Sequence, residues 1–151
     1  MPVVQFLAGR SIAEVESALK ASTGPLTTVR EHLQTALDML SDRDNPDYRN
    51  SIKESVSALE ALVNAILGER DSLGKNLKKL DEKLKMGLHK SLIDGLNKIY
   101  GYTSDASGIR HALADETTSP DREDARFMLI SVSAFVNLLL VKADKANVKI
   151  A

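Results

Sequence analysis

Apolar residues recur along this chain at intervals of three or four positions, which places them on one face of an α-helix. The strict alternation of apolar and polar residues that predicts strands does not recur. The pattern therefore predicts an all-α bundle of about five to seven helices with short connections. The stripes predicted to face the core are Leu26, Val29, Leu33, Leu37 and Leu40 in the second helix, Ile52, Val56, Leu59, Val63 and Ile66 in the third, Leu73, Leu77, Leu80 and Leu84 in the fourth, Leu88, Leu92, Leu96 and Ile99 in the fifth, and Ala125, Met128, Val132, Phe135 and Leu139 in the last.

Proline and glycine mark the limits of the central predicted helices. Pro25 suits the first turn of the second helix. Asn45 as a cap and Pro46 in the first turn predict the start of the third helix, and Gly68 predicts its end. We therefore expect the third helix to run from Pro46 to Leu67.

The last helix is the most apolar part of the chain. Its stretch FMLISVSAFVNLLLV is shorter than the roughly 20 apolar residues of a membrane span, and two serines and an asparagine interrupt it. It is therefore predicted to be a central, nearly all-round buried helix, capped by Ser119 and running from Pro120 to Val141. Because its stripe and that of the third helix are the two most apolar, these helices are expected to pack against each other.

Composition excludes several classes of chemistry. The chain has 151 residues, which is one domain by length, and its net charge of -1 creates no field that would attract nucleic acid or membrane to the whole surface. It has no cysteine, which excludes disulfides and thiolate catalysis and fits a cytoplasmic location. The three histidines, His32, His89 and His111, lack the spacing of a metal site, and no phosphate-binding loop or serine-hydrolase elbow is present. We expect no metal, no cofactor and no membrane partner.

The chain is predicted to divide into three parts. Residues 1–24 form an N-terminal segment with a short helix, and their apolar beginning suggests the end of a preceding domain in a longer parent protein. Residues 25–143 form the helical domain. Residues 144–151 are expected to be a frayed tail.

A lysine-rich strip runs along the fourth predicted helix and continues to Lys90. Between Lys75 and Lys90, six lysines stand against two acidic residues, so the strip could neutralise phosphates. The candidate RNA or phosphate ligands are Lys75, Lys78, Lys79 and Lys90. The alternative is an ordinary solvated helix face, and no aromatic residue interleaves to support base stacking.

The polar segment from Tyr100 to Pro120 interrupts the helical pattern. It holds Asp105, Arg110 and His111, a set typical of a site in which a carboxylate fixes the tautomer of a catalytic histidine. The alternative is structural, with Asp105 or Ser107 capping a short helix and His111 satisfying a buried backbone group.

Four separated segments together resemble a known family. They read NPDYRNSIKESVSALEALVNAI, LGKNLKKL, KIYGYTSDASGIRHALADE and DREDARFMLISVSAFVNLLL, in this order. The chain from about Val29 to Val141 resembles the C-terminal, HEPN-like domain of bacterial abortive-infection proteins, which act in phage resistance. The resemblance implies an all-α bundle that commonly forms a two-fold homodimer.

The resemblance also implies a candidate activity. Many HEPN domains are metal-independent ribonucleases in which an arginine stabilises phosphate charge and a histidine a few positions later acts as acid or base. Matching His111 to that histidine and Gly108 to the common glycine places Ser104 where the arginine belongs, with Asp105 at the neighbouring polar position.

Because Ser104 stands in place of the family arginine, three hypotheses of function remain open. The first is a non-catalytic HEPN-like module that dimerises or positions a partner domain. The second is a ribonuclease with an atypical site, in which His111 is the acid or base and Arg110, with Lys90, binds phosphate. The third is an RNA or nucleotide binder that uses the lysine strip.

Overall fold

The computed structural model of the chain describes residues 13–101, 103 and 119–150. Every regular element in these ranges is helical, which confirms the predicted all-α bundle. Residues 13–21 are the described part of α1, and a short 3₁₀ turn follows at Gly24–Leu26. The longer helices are α2 at Thr27–Ser41, α3 at Tyr48–Leu67, α4 at Leu73–Leu84, α5 at Lys90–Gly101 and α6 at Arg122–Lys145.

Helix α3 is the centre of the bundle. It packs against α2 on one side and α6 on another, while α4 covers a third side. Helix α5 packs against α4. The predicted pairing of the third and last helices is therefore confirmed. Leu59 and Leu62 of α3 and Leu139 of α6 are fully buried in this core. Burial of each such leucine stabilises the fold by about 1.5–3 kcal/mol.

Two elements flank α6 and hold its sides. Asn137 Nδ2 donates a hydrogen bond of 2.8 Å to Glu14 Oε1 of α1. On another side, the hydroxyl groups of Tyr100 in α5 and Ser131 lie 3.2 Å apart. Among the described residues, these contacts and the core leave one face of α6 uncovered.

The third helix begins later than the sequence predicts. Asp47 is the cap, because its carboxylate accepts the backbone N–H of the helix's third residue at 3.1 Å, and Tyr48 is the first helical residue. Asn45 lies instead in the preceding turn, where its backbone N–H donates to Asp42 at 3.0 Å. The prediction for the end of the helix is confirmed, since Gly68 adopts a left-handed φ of 73°.

The start of α6 also differs from the prediction of Ser119 and Pro120. Asp121 is the cap, and its carboxylate accepts the backbone N–H of Asp124 at 2.9 Å. Asp124 returns the contact by accepting the backbone N–H of Asp121 at 3.0 Å. This reciprocal capping box outcompetes the weaker signal of a serine followed by proline.

The predicted tail is packed in its described part. Helix α6 continues to Lys145, beyond the predicted end at Val141. The backbone N–H of Val148 then donates to the carbonyl of Ala143 at 2.9 Å. Val148 and Ile150 are partly buried against the core, so the prediction of a frayed tail is wrong for these residues.

The predicted stripe of the fifth helix is partly wrong. Helix α5 buries Ile93 and Tyr100, whereas Leu92 and Ile99 are 43% and 41% exposed. The chain between α4 and α5 is not helical, and Gly87 there has a left-handed φ of 73°. Leu88 lies in this break, so a stripe counted from Leu88 into the fifth helix has the wrong helical phase and misplaces the buried face.

Helix α6 has the length and composition to cross a membrane, and it is the one such helix in the described part of the chain. Core helices of soluble bundles pass the same test. The buried residues of α6 lie along α3, so α6 is a core helix. The prediction of nearly all-round burial is wrong, because Phe127 and Val141 are exposed.

Candidate functional site

The predicted catalytic residues Asp105, Arg110 and His111 lie outside the described residues, as do Ser104 and Gly108. The ribonuclease hypothesis depends on them and stays a prediction. The apolar N-terminal beginning, residues 1–12, also lies outside the described ranges.

The lysine strip is partly neutralised by the turn that precedes α4. Lys79 Nζ lies 3.0 Å from Glu69 Oε1 and 3.3 Å from Asp71 Oδ2, and Lys83 Nζ lies 3.2 Å from Glu69. The hydrogen bond to Glu69 raises the pKa of Lys79, and hydrogen bonds from Lys79 and Lys83 lower the pKa of Glu69. Lys79 is therefore bound to the α3–α4 turn, which makes it a poor phosphate ligand.

The other three lysines proposed for phosphate binding are exposed. Lys75 and Lys78 lie about one turn apart on α4, and Lys90 is the first residue of α5. Their role in RNA binding stays a prediction, because exposure alone is also expected of a solvated helix face.

The two described histidines have structural partners. His89 Nδ1 accepts the backbone N–H of Ser91 at 3.0 Å and so caps α5. His32 Nδ1 lies 2.6 Å from Glu54 Oε2 and links α2 to α3, so it is half-buried rather than simply solvated. Among the described residues, no group of three histidine or carboxylate side chains is placed to hold a metal ion.

The uncovered face of α6 is apolar along its length. Phe127 is 58% exposed and Val141 is 53% exposed, and Ala134 between them is exposed as well. Ile130 and Leu138 are half-buried at the edges of the same face. We call these five residues the outer stripe. Large exposed apolar surfaces on soluble domains typically mark interaction sites.

The outer stripe is symmetric in sequence about Ala134. Phe127 and Val141 are equally far from Ala134 along the helix, and so are Ile130 and Leu138. Each pair therefore matches a large side chain on one half of the helix with a large side chain on the other. A surface with this symmetry is complementary to an antiparallel copy of itself.

Charge follows the same symmetry. Glu123 and Lys145 lie at opposite ends of the uncovered face, equally far from Ala134, and both are exposed. In an antiparallel pair of α6 helices, each glutamate comes opposite a lysine. The helix macrodipole favours the same placement, with acid near the N-terminus and base near the C-terminus.

The outer stripe was not predicted from the sequence, because the apolar character of α6 indicated a position buried on nearly all sides. The signal was present, since Phe127, Ile130, Ala134, Leu138 and Val141 have helical spacing. A helix that is apolar on several faces does not reveal which face its neighbours leave uncovered.

Comparisons with protein-family models, with curated proteins and with solved structures found no match to this chain. The HEPN-like resemblance therefore stays a prediction.

Proposed function

We propose that this chain is a self-associating interaction domain that forms a two-fold homodimer through the outer stripe of α6. The symmetric apolar stripe, with its two opposite charges, is the observation that carries the proposal. The proposal agrees with the resemblance to a non-catalytic HEPN-like module of an abortive-infection protein. In that role, the domain would bring two copies of a partner domain together.

The apolar contacts follow from the antiparallel arrangement. Two α6 helices, each about 36 Å long, cross at Ala134. The small alanine at the axis lets the backbones approach closely. Phe127 of one copy then contacts Val141 of the other, and Ile130 of one copy contacts Leu138 of the other. Phe127 and Val141 of both copies are thereby removed from water, and the burial of this apolar surface drives association.

The proposal is tested by measuring molar mass by light scattering at several protein concentrations. We expect the mass of a dimer for the unmodified chain. Ala134→Glu places two carboxylates next to each other at the axis, so we expect the mass of a monomer for this variant. Ala21→Glu, at an exposed position of α1, is the matched control and should remain dimeric.

Two results would contradict the proposal. One is a monomer mass for the unmodified chain at all concentrations, and the other is a dimer that Ala134→Glu leaves intact. Co-sedimentation of a monomeric chain with anionic phospholipid vesicles, lost in Ala134→Glu, would assign the outer stripe to a lipid surface instead.

A further inference from the structure

A cavity of about 610 Å³ lies where α1, the end of α2 and the first half of α6 meet. Its apolar lining is formed by Val15, Leu37, Leu40, Leu129 and Ile130. Val15 and Leu129 are buried, and the other three are half-buried. Small-molecule sites in proteins typically have about 300–1,000 Å³ and a mostly apolar lining with a few polar groups. The cavity therefore has the size and lining to hold an apolar ligand group.

Three arginines line the same cavity. Arg43 comes from the connection between α2 and α3, and Arg122 and Arg126 lie one turn apart on α6. All three side chains are exposed, and within the described ranges none of them forms an ion pair. The planar guanidinium group donates two parallel hydrogen bonds to the two oxygens of a carboxylate. The arginines therefore favour a ligand that carries such a group.

The charge of the lining sets how many negative charges the ligand should carry. Glu16 and Asp42 are the acidic residues among the lining side chains, so the three arginines leave an excess of one positive charge (three minus two). The carboxylate of Asp42 accepts two backbone N–H groups of its own turn, both at 3.0 Å, and is engaged there. A ligand with a single negative charge neutralises this lining.

We propose that this cavity binds a fatty acid of medium chain length. The hydrocarbon chain would lie against the apolar lining, and the carboxylate would pair with Arg122 and Arg126. A short carboxylate such as acetate would leave the apolar lining in contact with water. An uncharged alcohol of the same length would leave the excess positive charge without a counter-charge. A cavity with both features favours a ligand that has both groups.

This proposal is independent of self-association. The cavity lies beside the outer stripe and shares Ile130 with it, but none of the three arginines belongs to the stripe. Substitutions of the arginines therefore test the ligand site without removing the proposed dimer contacts.

Isothermal titration calorimetry with hexanoate, octanoate and decanoate tests the proposal. We expect one molecule of decanoate to bind per chain, and affinity to rise by about tenfold for each two methylene groups, because each methylene adds apolar surface that is removed from water. Arg122→Ala and Arg126→Ala should each weaken the binding of decanoate by roughly tenfold or more. Arg122→Lys keeps the charge but cannot form the paired hydrogen bonds, so its effect should be intermediate.

Three controls complete the experiment. Decanol and decyltrimethylammonium have the same chain without the negative charge, and both should bind more weakly than decanoate. Arg30→Ala, at an exposed position of α2 outside the cavity lining, should bind decanoate like the unmodified chain. Circular dichroism of each variant verifies that a loss of binding is not a loss of folding.

Four results would overturn the proposal. Decanoate does not bind, hexanoate and decanoate bind equally well, either uncharged or cationic control binds as tightly as decanoate, or the arginine variants bind decanoate like the unmodified chain. The first result would show that the cavity does not hold a fatty acid. The second would remove the role of the apolar lining, and the last two would remove the role of the arginines.

Discussion

At the scale of single residues, polar side chains act mainly where helices begin. Asp47 and Asp121 cap α3 and α6, Ser72 caps α4, and His89 caps α5 by accepting a backbone N–H. Each cap satisfies a donor that the first turn of a helix leaves without a partner, which typically stabilises a helix by about 1 kcal/mol. His89 therefore has a structural role at the start of α5, and His32 has one in its contact with Glu54 between α2 and α3.

The ion pairs around Lys79 predict how stability depends on pH. The pKa of Glu69 is lowered from 4.5, mainly by the hydrogen bond from Lys79, and the pKa of Asp71 is lowered from 3.8, mainly by the backbone N–H of Ser72 and then by Lys79. A carboxyl group whose pKa is lower in the folded state stabilises the fold above its unfolded pKa, and this stability is lost as pH falls through the folded value.

We therefore expect Lys79→Met to reduce the loss of stability between about pH 5 and pH 2. Urea unfolding of the variant and the unmodified chain across this range measures the difference. Lys78→Met is the matched control, because Lys78 is exposed on the same helix and forms no ion pair within the described ranges. An equal pH dependence in the Lys79 variant and the unmodified chain would show that these pairs do not stabilise the folded state.

At the scale of elements, the two faces of α6 have different roles. Leu139 is fully buried against the core, whereas Val141, two positions later, is 53% exposed. The first face holds the bundle together. The second is exposed, and it is the face that we propose binds a second copy of the chain.

Truncating one residue on each face separates these roles. Leu139→Ala should lower the free energy of unfolding by about 2–5 kcal/mol, because it leaves a cavity in the core. Val141→Ala should lower it by less than about 0.5 kcal/mol. Urea unfolding in the Ala134→Glu background measures both effects without a contribution from association. Similar losses in the two variants would mean that α6 does not have a separate outer face.

The elements also show what the sequence could and could not predict. The buried stripe of α3 and its end at Gly68 are correct, because a regular periodicity and a left-handed glycine are local signals. The cap of α3 was misplaced because Asn45 and Asp47 are equally good caps, and the turn around Asp42 decides between them. The outer stripe was missed because which side of α6 stays uncovered depends on where α1 and α5 pack.

At the scale of the whole molecule, the charges at the two ends of α6 predict how the copies are oriented. Glu123→Lys places lysine opposite lysine in the proposed antiparallel dimer, and Lys145→Glu places glutamate opposite glutamate. Each variant should dissociate more readily at low salt, by several-fold. The double variant reverses both charges and should recover the affinity of the unmodified chain.

A contact between these two residues within one chain could not explain this recovery of dimer affinity. The two residues are separated by nearly the whole length of α6, about 33 Å, and so they cannot contact each other in a monomer. Sedimentation equilibrium of the four proteins gives the dissociation constants. Additive weakening in the double variant would contradict the antiparallel arrangement.

Disulfide trapping tests the central claim most directly, because the chain has no cysteine of its own. In the proposed antiparallel dimer, Phe127 of one copy lies opposite Val141 of the other, and cysteines can be bridged there when their Cα atoms come within roughly 4.4–6.8 Å. Phe127→Cys and Val141→Cys are purified separately, mixed at equal concentration under mild oxidation and analysed on a non-reducing gel.

We predict that the mixture forms a cross-linked dimer faster than either variant alone, and faster than a mixture of Phe127→Cys with the exposed α2 variant Glu31→Cys. Equal rates in all of these samples would contradict the two-fold pairing of α6.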